Sequence, residues 1–471
     1  MGWSVRCVRC VRCVESVLVV RSHRVVFPEG ERAAALYVEG GVIAKIAPFA
    51  TDDPTGAKVF NVPDLVISPG VVDTHVHINQ PGRTEGEGFD TATRAAAAGG
   101  VTTLIDMPLN SVPATTSVSG LRAKISAAQA QCHVDVGFWG GVVPGNSGEL
   151  EAMIDAGVRG FKCFLVPSGV DEFPPVSEDD LRAALPILAR RNVPLLVHAE
   201  LVEDRGVPTA DAIVDSNPHP YADYLATRPA SMELAAIRLM IRLADEFKAR
   251  VHIVHVSSAE GVAAIASAKA AGVPMTAETC PHYLTFAAGE IGAGATEFKC
   301  APPIRDAAHR AALWNGLVSG ALDLIATDHS PAPPALKTPG DFTRAWGGIA
   351  SLELSLAASY TALKTHLAAS NAEGSAESPF SLLARWLSAA PAALAGLGAR
   401  KGRIAEGFDA DLVAWDPELE FTVDAARLQQ RHKLTPYAGR ALSGAVLTTF
   451  VRGERVWDRD RLARAYGGHV I

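Results

Sequence analysis

The chain has 471 residues, of which 48% are apolar and 20% are charged, and its formal net charge is −8. This composition describes a folded protein rather than a disordered one, and its slight acidic excess argues against a dedicated nucleic-acid binder. No apolar run approaches the roughly 20 residues that a membrane-spanning helix needs, so we expect neither nucleic acid nor a membrane as a partner.

The first 14 residues differ in composition from the rest of the chain. They contain a repeated Val-Arg-Cys unit, and its cysteines, Cys7, Cys10 and Cys13, have metal-site spacing but no fourth ligand nearby. We therefore predict a disordered extension over residues 1–14, with a metal site or an Arg-rich organellar leader as the alternatives. The total of seven cysteines is odd and favours a reducing compartment, so the expected location is the cytoplasm.

Between residues 65 and 330 the sequence alternates short β-branched runs with Ala-rich helical segments. Eight runs are predicted as strands: Leu65 to Asn79, Thr102 to Pro108, Val134 to Val142, Gly160 to Val166, Pro194 to Glu200, Val251 to Ser257, Pro274 to Cys280 and Leu322 to His329. Parallel strands that are apolar throughout must be buried on both faces, as in a closed (β/α)8 barrel of the TIM type. An open doubly wound sheet is the alternative, but it leaves the number of repeats unexplained.

Half-exposed strands are predicted at both ends of the chain. Ser16 to Val26 and Ala35 to Ile46 alternate in polarity, as do residues 411–415, 445–451 and 455–457. Neither set can bury a face alone, so we predict that both termini combine into one small β-sandwich. The predicted organisation is a composite β-sandwich from residues 15–64 and 400–471 and a barrel over residues 65–399.

Active sites of such barrels lie at the carboxyl ends of the strands, so polar residues there are informative. His75 and His77 close the first predicted strand, and their spacing of two places both side chains on one face, as the binding of one metal ion requires. Such pairs also arise by chance, so the position at a strand end carries the argument.

His198 and His255 end the fifth and sixth predicted strands. His252 lies three residues before His255, so strand alternation predicts that only one of these two enters the barrel, and His255 is nearer to the carboxyl end. A single histidine is more often a core or surface residue. Two histidines that end different strands favour metal ligands.

The last predicted strand carries an acid at each end, Asp323 and Asp328. Five positions apart, they point to opposite faces, and we expect Asp323 to be solvated or part of a turn. A carboxylate at the rim, such as Asp328, can hold a metal, accept a proton from water and return it to a leaving nitrogen. Capping of the next turn is the alternative role of Asp328.

Lys162 lies among apolar neighbours on the fourth predicted strand, where a buried ammonium without a partner is costly. One interpretation is a side chain that extends to the rim. The other is a lysine converted by carbon dioxide to a carbamate, whose two oxygens bridge two cations about 3.5 to 4 Å apart. With four histidines and one aspartate, this bridge predicts a site for two zinc ions.

The region from about residue 16 to about residue 460 contains six motifs that can be compared with known families. They begin at Pro69, Met107, Gly160, Glu278, Lys299 and His432, and they read PGVVDTHVHINQPGRTE, MPLNSVPATT, GFKCFLVPSGVDEF, ETCPHYL, KCAPPIR and HKLTPYAGR. In these motifs the chain resembles the allantoinases, a cyclic amidohydrolase group within the amidohydrolase superfamily. The resemblance implies a (β/α)8 barrel with a β-sandwich built from both termini.

The resemblance also implies the metal ligands and the catalytic residue. Two divalent ions, zinc or alternatively cobalt or manganese, would be bound by six residues: His75, His77, N6-carboxylated Lys162, His198, His255 and Asp328. Asp328 would also be the catalytic acid and base.

Three further residues are predicted to contact the substrate. The related dihydroorotases carry Arg where Asn79 stands, and an uncharged amide suits a neutral ring with a ureido group. Asn110 and His329 are the other candidates, with support of their own loops as the alternative role. The family usually has Glu at the position of Gln80 and Trp at that of Gly86, and these departures concern substrate affinity more than metal binding.

The function implied by the resemblance is hydrolysis of the hydantoin-ring amide of (S)-allantoin to allantoate. The small molecule would be the partner, and a homotetramer is the assembly that the resemblance implies. A hydantoinase or dihydropyrimidinase with another cyclic amide is the first alternative. A non-catalytic scaffold relative is the second.

Overall fold

The computed structural model describes residues 17–202, 207, 220–337, 340–369 and 377–471. The predicted N-terminal extension and its three cysteines lie outside these residues. Within the described ranges, no helix is long and apolar enough to cross a membrane.

Strands and helices alternate through the centre of the chain, and strands dominate both ends. The strands are β1 (Leu18–Phe27), β2 (Gly30–Glu39), β3 (Val42–Ala47), β4 (Lys58–Asn61), β5 (Val66–Pro69), β6 (Val71–Val76), β7 (Val101–Asp106), β8 (Asp135–Phe138), β9 (Gly140–Gly141), β10 (Phe161–Phe164), β11 (Leu195–His198), β12 (Val251–Ile253), β13 (Met275–Thr279), β14 (Leu324–Ile325), β15 (Leu412–Thr422), β16 (Ala441–Val451), β17 (Glu454–Asp458) and β18 (Arg461–Leu462). The α-helices are α1 (Phe89–Ala98), α2 (Val118–Ala128), α3 (Leu150–Asp155), α4 (Glu178–Arg191), α5 (Tyr221–Ala226), α6 (Ala230–Phe247), α7 (Ala259–Ala270), α8 (Pro281–Thr285), α9 (Ala307–Ser319), α10 (Ser355–Ala369), α11 (Pro379–Ala384) and α12 (Ala390–Leu394).

Strands β6 to β14 form the barrel. They pair in parallel in the orders β6-β7-β8 and β9-β10-β11-β12-β13-β14, and β9 follows β8 after the single residue Trp139. A parallel bridge between Val76 and His329 joins the first strand to the segment after the last one. Since β8 and β9 are successive parts of one strand, the predicted (β/α)8 barrel is confirmed.

The second sheet combines strands from both ends of the chain. Its order is β18-β17-β16-β15-β5-β1-β2-β3, with β4 paired to β1. Alternating apolar residues from both termini, such as Val20, Leu36 and Leu412, form its core, and the rings of Phe60 and Phe450 pack 5.2 Å apart. The predicted β-sandwich from both termini is therefore confirmed.

The first predicted strand differs from the structure, because it is two strands in two sheets. β5 pairs with β1 and β15 in the sandwich, whereas β6 pairs with β7 in the barrel. Gly70 separates them, and a Cβ atom there would lie 2.3 Å from the side chain of Thr102. Only glycine fits this close approach, so the change of sheet occurs at this residue.

Apolar side chains fill the barrel before each strand reaches its polar end. Val72, Ile105, Leu196, Val254 and Leu324 belong to one buried cluster. Because these residues precede the polar ends of their strands, the cluster occupies the barrel interior, and the polar side chains are left for the carboxyl ends.

Candidate active site

His75 and His77 stand at the end of β6, where two hydrogen bonds fix the backbone. The Asp73 carboxylate accepts from the backbone N–H of His75 at 3.1 Å, and the N–H of His77 donates to the carbonyl of His329 at 2.8 Å. Asp73 also accepts from the Thr327 hydroxyl at 2.5 Å. One carboxylate therefore ties the end of β6 to the segment that carries Asp328.

Asp328 joins these two histidines. Its Oδ1 atom lies 3.2 Å from Nε2 of His75 and 3.3 Å from Nε2 of His77. Burial alone would raise the pKa of Asp328, but the nearby His75 and the hydrogen bond from His77 lower it below its ordinary value, so the carboxylate is ionised. The three residues form a buried group whose donor atoms lie within 4.8 Å of one another, which is suited to a metal ion.

His198 and His255 form a second pair. Nδ1 of His198 lies 2.9 Å from Nε2 of His255, while Nε2 of His198 contacts Glu200 Oε2 at 2.7 Å. Burial lowers the pKa of both rings, so they are neutral, as metal ligands must be. The ring centroids of His75 and His255 are 5.4 Å apart, so the two groups belong to one site.

The predicted alternation of His252 and His255 is wrong. β12 ends at Ile253 and His255 has a φ of 42°, so a period of two does not extend to it. His252 also faces the interior, where its Nε2 contacts Glu278 Oε2 at 2.9 Å and its Nδ1 contacts the Thr276 hydroxyl at 2.8 Å. Both histidines enter the barrel, and His255 is the one that reaches the cavity.

Lys162 is buried in the cavity floor on β10. Its Nζ atom has no hydrogen-bond partner among the described residues and lies 5.2 Å from the centre of the Phe164 ring. Burial lowers the pKa of Lys162 to about 8, against the opposing charges of Glu278 and Asp328. An amine of this kind is partly unprotonated near neutral pH and is therefore available for reaction.

Two carboxylates contact the histidines from behind, and no role was predicted for either of them from the sequence. Glu278 on β13 contacts Nδ1 of His75 at 2.5 Å and also contacts His252, so it links two strands. Glu200 contacts His198 and forms an ion pair with Arg228. Carboxylates that accept the second ring N–H of a histidine orient it as a ligand. Two features of the sequence could have indicated these carboxylates: Glu200 follows His198 by two residues, and Glu278 begins one of the six motifs.

The three predicted substrate contacts occupy different positions. Asn110 lines the cavity, which has a volume of about 520 Å3, and its Nδ2 lies 3.3 Å from Nδ1 of His77. Asn79 is buried, and its Oδ1 has no hydrogen-bond partner among the described residues. His329 is also buried, and its Nδ1 accepts from the backbone N–H groups of Ser351 and Leu352. The structure thus places Asn110 on the cavity surface and the other two residues behind it.

Comparison with known proteins agrees with this arrangement. The sequence profile described as "Amidohydrolase family" matches residues 66–456. An allantoinase of Streptomyces avermitilis is 48% identical over 93% of this chain and 95% of its own length. An allantoinase of Arabidopsis thaliana is 42% identical over 94% of this chain and 88% of its own length. Among solved structures, L-hydantoinase (dihydropyrimidinase) from Arthrobacter aurescens superimposes with a TM-score of 0.89 at 30% identity, over 96% of this chain and 98% of that one.

The barrel and its buried histidine–carboxylate cluster are those of a barrel hydrolase. The chain belongs to the amidohydrolase family, as the sequence motifs predicted. Membership implies a divalent metal centre, and the residues fit one. His75, His77 and Asp328 converge, and the buried Nζ of Lys162 and Nδ1 of His255 have no hydrogen-bond partners within the described part of the chain.

Proposed function

We propose that this protein hydrolyses the hydantoin-ring amide of (S)-allantoin to allantoate. Two observations support the proposal: all six proposed metal ligands line one cavity, and the chain is 48% identical to an allantoinase over 93% of its length. The similarity to a hydantoinase is lower in sequence, at 30% identity. This difference favours allantoin over other cyclic amides as the substrate.

The proposed metal centre holds two divalent ions, zinc in the first instance, with cobalt or manganese as alternatives. The ligands would be His75, His77, His198, His255, Asp328 and carboxylated Lys162. The last would form when the unprotonated Lys162 amine attacks carbon dioxide, which makes an N–C bond and releases one proton. Metal ions bound there would polarise the ring carbonyl and make water a better nucleophile.

Asp328 would move the proton. In the hydrolysis, water adds its oxygen to the ring carbonyl carbon, the ring C–N bond breaks, and the nitrogen gains a proton. Ionised Asp328 can accept the proton from the attacking water and return it to the leaving nitrogen. Asn79, Asn110 and His329 are proposed to orient the substrate, Asn110 directly from the cavity wall.

The proposed assembly is a homotetramer in the cytoplasm. The proposed organisation assigns residues 65–399 to the barrel and residues 15–64 and 400–471 to the sandwich. Analytical ultracentrifugation of the purified chain tests the assembly.

The test of function combines metal analysis with four substrates: allantoin, hydantoin, dihydrouracil and dihydroorotate. We expect two metal ions per chain and the highest kcat/KM with allantoin. A higher kcat/KM with hydantoin or dihydrouracil would contradict the proposed substrate. Metal-loaded protein with no turnover of any of the four would favour the scaffold alternative.

Replacement of Asp328 with Asn tests the proton transfer. We expect at least about a hundredfold loss of kcat, since general acid–base groups contribute that much, with both metals retained. An Asn variant with unchanged kcat would exclude this role. The matched control is Asp323→Asn, because Asp323 lies at the other end of β14 and its carboxylate contacts Lys269 at 2.8 Å.

A further inference from the structure

One wall of the cavity is an irregular segment, Asp341–Gly348, which we call the 341–348 wall. Its residues 343–348 all line the cavity. The segment contains no strand and no helix, so regular backbone hydrogen bonds do not hold it in place. Within the segment, Asp341 accepts hydrogen bonds from the backbone N–H groups of Thr343, Arg344 and Ala345, and contacts with other parts of the chain complete its hydrogen bonding.

Two buried lysines provide these contacts. Nζ of Lys299 donates to the carbonyls of Thr343 at 3.1 Å and Ala345 at 2.5 Å. Nζ of Lys337 donates to the carbonyls of Trp346 at 3.0 Å and Gly348 at 2.5 Å. Two ammonium groups thus bind four carbonyls within six residues.

Burying an ammonium group costs free energy, so the hydrogen bonds of these two lysines must offset that cost. Their residues are 8% and 6% exposed, and the hydrogen-bond partners of both ammonium groups are main-chain carbonyls rather than carboxylates. Burial lowers the pKa of Lys299 and of Lys337 to about 8. A buried ammonium is unfavourable unless it is well hydrogen-bonded, so removal of either lysine leaves buried carbonyls without donors.

Main-chain hydrogen bonds complete the attachment. The N–H of Gly348 donates to the carbonyl of Lys299 at 2.8 Å, and the N–H of Trp346 donates to that of Leu336 at 2.7 Å. The hydroxyl of Thr296 donates to the carbonyl of Lys337 at 2.5 Å. The main chain at Lys299 and beside Lys337 is therefore also hydrogen-bonded to the wall, and Thr296 holds the main chain of Lys337.

We propose that Lys299 and Lys337 are positioning residues that hold the 341–348 wall in its substrate-facing conformation, and that this wall selects among cyclic amides. The proposal rests on the proposed function for the identity of the ring. The proposed metal ligands come from β6 and the residue after it, β10, β11 and the segments after β12 and β14, whereas Thr343, Arg344 and Trp346 of the wall line the same cavity without being proposed ligands. Under this proposal the wall would contact the ring substituent, and the metal-binding side chains would face the amide.

The test replaces each lysine with methionine, which keeps the length of the side chain and removes its donors. We expect Lys299→Met and Lys337→Met to raise KM for allantoin about tenfold, the effect of one lost hydrogen bond to a charged group. The preference for allantoin over hydantoin should fall by a similar factor, and the metal content should stay at the wild-type value. Amide hydrogen exchange at residues 343–348 should become faster.

The matched control is Lys269→Met. Lys269, on α7, also donates to two carbonyls, of Gly320 at 2.7 Å and Ala321 at 3.3 Å. These carbonyls precede β14, so they lie at the amino end of the barrel, away from the wall. This variant should leave the wall amides and the substrate preference unchanged. Thr296→Val is the milder second variant, and it should shift KM and exchange in the same direction even if a lysine variant fails to fold.

The outcomes separate the two proposals. Folded lysine variants with wild-type KM, wild-type substrate preference and wild-type exchange at residues 343–348 would overturn the inference about the wall. If Thr296→Val folds without any of these changes while both lysine variants are insoluble, the inference is also overturned. If the wild-type protein does not hydrolyse allantoin but the wall amides still exchange faster in the variants, the proposed substrate fails and the positioning role stands.

Discussion

The Nδ1 atom of His198 and the Nε2 atom of His255 lie 2.9 Å apart, with both rings buried. Glu200 contacts the other nitrogen of His198 at 2.7 Å, which places the N–H of the neutral ring there. The lone pair of Nδ1 is then directed at His255. Two neutral nitrogens that converge in this way are expected to bind one cation.

Replacement of His198 with Ala should therefore reduce the metal content from the proposed two ions to one per chain. Elemental analysis of the purified variant measures this directly. The control is His23→Ala, because His23 lies on β1 of the sandwich, where the centre of its ring lies 4.1 Å from that of Phe49. If His198→Ala retains two ions with unchanged affinity, His198 is not a ligand.

Lys162→Ala should remove the proposed bridging carboxylate and with it most of the activity and part of the metal. Added short carboxylic acids such as acetate or propionate should restore part of both, because they can occupy the space of the missing side chain. The measurement is kcat and metal content against acid concentration. Lys124→Ala serves as a comparison, since Lys124 is equally buried but pairs with Asp106 at 2.7 Å. Rescue of Lys124→Ala to the same degree would contradict the specific role of Lys162.

Gly86 lies against Asn79, one of the proposed substrate contacts, so a larger residue at this position should change the site. A Cβ atom there would lie 2.6 Å from Nδ2 of Asn79. Gly86→Ala should displace the Asn79 side chain and raise KM for allantoin about three- to tenfold, with kcat less affected. At Gly148 a Cβ atom would meet nothing within 4 Å, so Gly148→Ala is the control. An unchanged KM in Gly86→Ala would indicate that Asn79 does not bind the substrate.

Glu353 should make stability depend on pH. Burial raises its pKa from 4.5 to about 7, although the backbone N–H of Gln429 donates to it. Between pH 4.5 and 7 the folded chain therefore holds a proton that the unfolded chain has lost, so this carboxyl lowers stability as the pH rises through that window. Glu353→Gln should be more stable than the wild type by about 2 kcal/mol at pH 8, and the difference should shrink toward pH 5. Urea midpoints at both pH values measure it, and an equal difference at both would be inconsistent with titration.

The sequence predicted which polar residues follow the barrel strands, because those residues interrupt apolar runs, although the predicted strands extend four residues beyond the ends of β12 and β14. His75, His77 and Asp328 converge as expected, because the carboxyl ends of parallel strands meet at one end of a barrel. The alternation rule failed at His255, because the strand ends two residues earlier and the backbone turns to a positive φ. Local periodicity cannot locate such a turn.

Contacts between distant residues lay beyond sequence reasoning. Glu278 contacts His75 from 203 positions away, and although it begins one of the motifs, the sequence does not show which histidine it contacts. Lys299 appears in the sequence only as the first residue of the KCAPPIR motif, and Lys337 belongs to none of the six motifs. Their role depends on where the carbonyls of residues 343–348 point, and no residue type encodes this by itself.

The junction at Gly70 limits how the chain can be shortened. Only this glycine separates β5 from β6, and β5 pairs with β15 through Ser68 and Val413. Deletion of the C-terminal strands would expose one edge of β5 a few residues before His75. A truncated barrel is therefore expected to lose metal affinity together with solubility, and the terminal strands should be retained in any minimal or transplanted version of the enzyme.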